Sequence, residues 1–311
     1  MSQPKLRFFF REPTVDTNRP LREGSAAVAG FEFAEVVKLD EADAWDCGFA
    51  ARMESVEKGE DLVSIPAYPN RKFRLSYIYV NSKAGIETPR DLEGKRVGIL
   101  FWANTAGVWV RGALQHDYGV DLHAIDWMST AAAAVPAPAT YKFRVRPGAD
   151  LDAMLTAGEL DAVIEPNVLP SITRRDPRVR RLFRDYKSEE QAYFRRTGIF
   201  PISHVVTLRR AFVERHPEAP LALLKAYRQA RDIAIDAIEG ADPQVMVLPW
   251  ASALLDEQRA LMGDAFFSYN IADNRASLAA FVRYAHEQGL VSRPVDYAAL
   301  FSPEAANLPG A

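Results

Sequence analysis

Short apolar runs alternate with amphipathic ones along most of this chain, and the alternation predicts strands separated by helices. Lys5–Phe10 and Gly30–Val37 read as the first two strands. Asp43–Gly59 has helical spacing, and within it Ala44–Gly48 fits a strand end or a loop. Leu62–Pro66 is a third short strand. Leu75–Val80 alternates and is rich in β-branched and aromatic residues, which predicts another strand. Pro89–Gly94 is a turn with a short helical segment, and Lys95–Phe101 is an apolar run of buried-strand type. Asn104 and Thr105 cap a helix that runs to Tyr118 and stops at Gly119. A strand that ends at a capped helix leaves free N–H groups facing a crevice, which suits a carboxylate or phosphate.

The pattern continues with strands at Ala124–Met128, Tyr141–Arg146, Leu160–Ile164 and Ser203–Leu208. Helices are expected at Leu151–Gly158, from Arg210 to Pro217, and at Ala219–Ile238, Asp256–Met262 and Asn274–Gln288. Residues 129–140, STAAAAVPAPAT, read as a surface loop of low complexity. Residues 174–184 hold six arginines and read as solvated loop and helix, and Arg293–Phe301 as extended. Strands that alternate with helices mean α/β with largely parallel sheets.

The chain has 311 residues, enough for two domains or one large one. With 48% hydrophobic and 25% charged residues it has the balance of a soluble globular protein. A net charge of −3 argues against nucleic acid or a membrane surface as partner. The single cysteine, Cys47, excludes an intramolecular disulfide and a cysteine metal cluster. The apolar stretch near the start is broken by Arg7 and closed by Arg11 and Glu12, so it does not read as a signal peptide, and a cytoplasmic location is expected. A homo-oligomer is compatible with all of this.

Few residues stand out for chemistry. Arg71 and Arg74 lie in one loop after Pro69. Two planar guanidinium groups suit a dicarboxylate, and solvated surface pairing is the alternative. Thr105 and Ala106 start a helix and could bind an anionic oxygen, with a plain cap as the alternative. Trp102 and Trp109 could stack on an aromatic ring or fill the core. His204 begins a strand, as a proton donor or as a structural histidine. His116, Asp117, Asp121 and His123 cluster in sequence but match no standard zinc pattern, so no metal site is expected. No phosphate-binding glycine loop, nucleophile elbow or HExxH motif is present.

The segments RKFRLSYIYVN, AGIETPRDLEGKRVG, TAGVWVRG and QAYFRRTGIFPISHVV, with FVRYAHEQGL near the end, resemble the 4,5-dihydroxyphthalate decarboxylase family. The resemblance runs from about Leu62 to Phe301 and is weaker before that. It implies an α/β fold of two lobes, the type II periplasmic-binding-protein-like fold, with two crossing strands and an interlobe cleft. Tyr77–Asn81 and Ile202–Leu208 are the candidate crossings. Residues 1–82 and 206–311 would form lobe one, and residues 83–205 lobe two.

The resemblance also implies a cofactor-independent decarboxylase of a hydroxylated aromatic dicarboxylate. His204 would be the acid. Arg71 and Arg74, with Ser76 in the same motif, would seat the carboxylates. Thr105, Ala106 and Trp102 would add binding contacts, and Asp46 would accept a phenol proton. The family pattern has histidine where Leu75 stands and an acidic residue where Phe101 stands. A solute-binding protein for a small aromatic carboxylate is one alternative: it would need the same arginines and helix end but no acid, and the absence of a signal peptide counts against it. An enzyme of different chemistry on the same fold is the other.

Overall fold

The computed structural model describes residues 3–131, 136–240 and 248–308. Two sheets organise it. A five-stranded sheet contains β1 (Lys5–Phe9), β2 (Glu32–Glu35), β3 (Ala44–Gly48), β4 (Leu62–Ile65) and β11 (His204–Arg209), in the order β2-β1-β3-β11-β4. A six-stranded sheet contains β5 (Ile78–Asn81), β6 (Arg96–Ile99), β7 (Asp126–Ser129), β8 (Lys142–Val145), β9 (Ala162–Ile164) and β10 (Val179–Arg181), in the order β10-β5-β9-β6-β7-β8. The architecture is that of the two-lobed type II periplasmic-binding-protein-like fold, as expected.

The sheets are mixed rather than largely parallel. β5, β10 and β11 run antiparallel to their neighbours. Topology explains the two central ones. A chain that arrives from the other sheet enters at the C-terminal ends of the parallel strands and has to run back against them. Thus His204, the first residue of β11, pairs with Gly48, the last of β3, and Ile78 pairs with Ile164 in the same way.

The passages between sheets differ from the expected crossings. Ile78–Asn81 is a strand of the six-stranded sheet, and Leu75–Tyr77 before it is a 3-10 turn rather than strand. The chain crosses through residues 66–77 and returns through residues 198–203. An antiparallel bridge between Arg71 and Ile202 ties the two passages together.

Two further elements escaped the sequence pattern. The arginine-rich segment contains β10, an edge strand whose Arg180 and Arg181 are only half-buried, as charged edge strands are. Tyr186–Thr197 is a helix, capped by Asp185 and ended by Gly198 in the left-handed conformation. The final segment contains a 3-10 turn, Tyr297–Leu300, rather than being extended throughout. Part of the Ala/Pro-rich segment, residues 132–135, lies outside the described residues.

The capped helix is Thr105–Tyr118, with the bounds its sequence predicts. The Asn104 side chain accepts from the Gly107 N–H at 3.1 Å, and Gly119 closes the helix at φ 64°. Its middle turn packs directly on the helix Arg275–Glu287. A Cβ at Gly112 would lie 2.1 Å from the ring of Tyr284, so only glycine permits this approach. That packing fixes where the helix N-terminus points. No helix among the described residues is long and apolar enough to cross a membrane.

Candidate active site

A cleft of about 1480 Å³ opens between the sheets. It lies where strand ends release loops: Arg11–Thr17 after β1, Gly48 after β3, and Leu100–Asn104 after β6. Open α/β sheets place ligands at these carboxyl ends. The two passages contribute Arg71, Arg74 and Ser203, and β11 contributes His204.

One wall carries an Asp–His pair. β3 and β11 are neighbours, and their register sets Asp46 opposite Val206, two residues along from His204. Asp46 is fully buried and His204 nearly so. The Nδ1 of His204 lies 3.3 Å from Asp46 Oδ2. Asp46 also accepts from the backbone N–H of Arg11, from that of Glu12 at 3.2 Å, and from Asn18 Nδ2 at 3.3 Å. A carboxylate held by four donors is a fixed object, and it fixes the ring that leans on it. His204 lines the cleft, and Nε2 is the ring nitrogen left for it.

Beside this pair, on the two passages, lie guanidinium groups with no carboxylate partner among the described residues. Arg74 is buried. It donates from Nη2 to Ser203 Oγ at 2.5 Å and from Nη1 to the Pro166 carbonyl at 3.4 Å, while its buried Nε has no partner among the described residues. Arg71 is partly buried, donates from Nη2 to the Phe200 carbonyl at 2.9 Å, and stacks on the Phe200 ring at 4.3 Å. Its Nε is likewise enclosed and unpartnered. Desolvation lowers both groups from their ordinary value to about 10. Buried polar groups are normally satisfied, so two cations short of acceptors in one cleft mark an anion site.

Thr105 and Ala106 also line the cleft, at the start of the capped helix. The Thr105 Oγ1 accepts from the Ala50 N–H at 3.1 Å, which caps the helix Phe49–Glu57 and leaves the O–H to donate. The helix start therefore offers its backbone N–H groups beside that one hydroxyl donor.

Three expected contacts fall outside the cleft. Ser76 is buried, and its N–H and hydroxyl both donate to Glu190 Oε1 at 2.8 Å. Trp102 is fully buried and donates to the Gln288 carbonyl at 2.9 Å, with the guanidinium of Arg111 lying 4.0 Å from its ring. Asp46 is fully buried, is not part of the cleft lining, and touches that lining through His204 and the main chain of Arg11 and Glu12. Each is absorbed by packing that sequence spacing does not reveal. Trp109 is likewise core, donating to the Ile202 carbonyl.

His116 pairs with Glu287 and His123 stacks on Tyr141, and no three His, Cys, Asp or Glu side chains among the described residues could hold a metal ion. Residues that sequence reasoning missed include Ser203, which steadies Arg74, and Asn18, which steadies Asp46. Only Ser203 had a local signal, its place beside His204.

A family model described as NMT1/THI5 like matches residues 34–170. Among solved structures, the periplasmic aliphatic sulphonate binding protein SsuA from Escherichia coli has a TM-score of 0.58 at 16% identity, covering 96% of this chain and 98% of that one. The desulfurization enzyme DSZB has a TM-score of 0.53 at 17% identity, covering 97% and 98%. At such identities the likeness shows the fold alone, a fold that serves both binding proteins and enzymes. The curated relatives are more specific. A 4,5-dihydroxyphthalate decarboxylase of Pseudomonas putida is 33% identical over 142 residues, 43% of this chain and 55% of that protein. A 4,5-dihydroxyphthalate decarboxylase of Comamonas testosteroni is 30% identical over 320 residues, 96% of this chain and 97% of that protein. Two guanidinium groups without a carboxylate partner among the described residues share the cleft with an aspartate-held histidine, and the match to such a relative over 96% of the chain places this protein in the 4,5-dihydroxyphthalate decarboxylase family of carboxy-lyases.

Proposed function

We propose that this protein removes one carboxylate from a hydroxylated aromatic dicarboxylate of the 4,5-dihydroxyphthalate type, by protonating the ring carbon that bears it, without a cofactor. The observation that carries this reading is that Arg71 and Arg74, with no carboxylate partner among the described residues, line one cleft with the histidine of the His204–Asp46 pair. The guanidinium groups seat the adjacent carboxylates through charge-assisted bonds. The N–H groups at Thr105 and Ala106 take a further oxygen. His204, oriented by Asp46, delivers a proton from Nε2 to the ring carbon. Electron density from the hydroxyl para to that carbon supports the attack. The carbon–carboxylate bond then breaks, its electron pair restores the aromatic ring, and CO₂ departs. A site closed to water favours conversion of a charged carboxylate to neutral CO₂.

A solute-binding protein would use the same arginines but has no need of the buried Asp–His pair. The test is to incubate chelator-treated protein with 4,5-dihydroxyphthalate in D₂O. The expected product is the dihydroxybenzoate with one deuterium at the vacated ring carbon, with CO₂ released. Unchanged substrate, or turnover only after a metal is returned, would contradict the reading.

A further inference from the structure

Asp46 is fully buried and outside the cleft lining, so the proton that leaves the substrate hydroxyl needs another acceptor. Among the described residues, three that carry a carboxylate line the cleft: Glu12, Asp16 and Glu54. Asp16 pairs with Arg19 at 2.8 Å, and Glu54 lies against Lys58 at 4.0 Å. The Glu12 carboxylate has no ion pair or hydrogen bond among the described residues.

Glu12 is also tied to the acid. Its backbone N–H donates to Asp46 Oδ2, the oxygen that His204 Nδ1 approaches. The main chain of Glu12 and the imidazole are thus joined through a single shared atom. The loop Arg11–Thr17 carries the side chain into the cleft, where its charge acts on Arg74. A proton donor at one ring carbon and an acceptor at the para hydroxyl have to stand at two ends of the substrate. Glu12 lines the cleft from a main chain tied to Asp46, and its exposed, flexible side chain is free to turn toward a bound hydroxyl.

Resting on the decarboxylase reading above, we propose that Glu12 is the general base for the hydroxyl para to the departing carboxylate. Its carboxylate takes the O–H proton as His204 gives one to the ring carbon, leaving a non-aromatic ketone. Loss of CO₂ returns the electron pair to the ring and regenerates a phenolate, which recovers its proton from Glu12. His204 regains a proton from water, and no oxidant or reductant is needed.

The experiment compares wild type, Glu12→Gln, Glu12→Asp and Glu54→Gln with 4,5-dihydroxyphthalate from pH 6 to pH 9. A positioned base contributes about 10²-fold or more. Glu12→Gln is therefore expected to lose about 100-fold in kcat, with KM within about threefold, and to regain activity as rising pH ionises the catechol. Glu12→Asp should recover part of the loss at neutral pH. Wild type should lack the alkaline gain. Wild-type protein that turns nothing over defeats the decarboxylase reading and this assignment with it. A Glu12→Gln variant with wild-type kcat, a loss that pH does not relieve, or a collapse confined to Glu54→Gln overturns the assignment alone.

Discussion

On the wall built from the five-stranded sheet, Asp46 is met by four donors: two backbone N–H groups, Asn18 and His204. On the adjoining wall, built from the two passages, Arg71 and Arg74 are held by carbonyls and one hydroxyl, and each keeps an enclosed Nε with no partner among the described residues. The first wall is complete without a ligand. The second is not, and its cations are desolvated with no counter-charge in contact. A satisfied network holds geometry, whereas an unsatisfied one stores affinity for what is missing. Under the proposed function the contrast divides the work, with binding at the arginines and reaction at the histidine.

The largest expected effect follows from removing a cation. Arg74→Ala should weaken phthalate binding by about 100-fold or more, as truncation of a buried charged partner does. Its melting temperature should stay level or rise, because the desolvated charge is gone. Isothermal titration and thermal unfolding of one preparation would read both. A variant that binds normally would break the comparison at its base.

Asp46→Asn should act on the other quantity. The imidazole loses its carboxylate, so kcat is expected to fall about 10- to 100-fold while phthalate affinity changes little. Steady-state kinetics beside a binding isotherm separates the two. Equal losses in both would mean the walls are not independent.

A smaller effect concerns pH. Burial lowers Arg71 and Arg74 to about 10 from the ordinary 12.5. Across that window the folded chain holds fewer protons than the unfolded one, so these groups make stability rise with pH. Bound dicarboxylate favours the charged forms. Phthalate affinity should therefore be level from about pH 7 to 9 and fall above about 10. An affinity that climbs above 10 would contradict the desolvation account.

The smallest is Thr105→Val, which takes the acceptor from the Ala50 N–H. It should cost about 1 kcal/mol of stability, the worth of a cap, and leave phthalate affinity nearly unchanged if backbone N–H groups are what the helix start offers. Denaturant unfolding measures the first, and a binding isotherm the second.

What could be read in the sequence was what local signals encode. Asn104 and Gly119 bounded their helix because caps act through neighbouring residues. The apolar runs at Leu62 and Arg96 declared their strands. The arginine loop and His204 stood out by residue type, and both line the cleft. What stayed hidden depends on distant partners. Nothing near Ser76 signals that Glu190 takes both its donors, and nothing near Trp102 signals that Gln288 and Arg111 enclose it. Asp46 could be singled out, but its place behind His204 is set by the pairing of β3 with β11. β10 was hidden by its arginines, since an edge strand tolerates charges that a periodicity search reads as loop.

The most direct test of the division between walls is one variant measured two ways. For His204→Gln, the account predicts 4,5-dihydroxyphthalate binding within about threefold of wild type and CO₂ release lowered by about 100-fold or more, the scale of a lost general acid. Turnover that survives the substitution would contradict it.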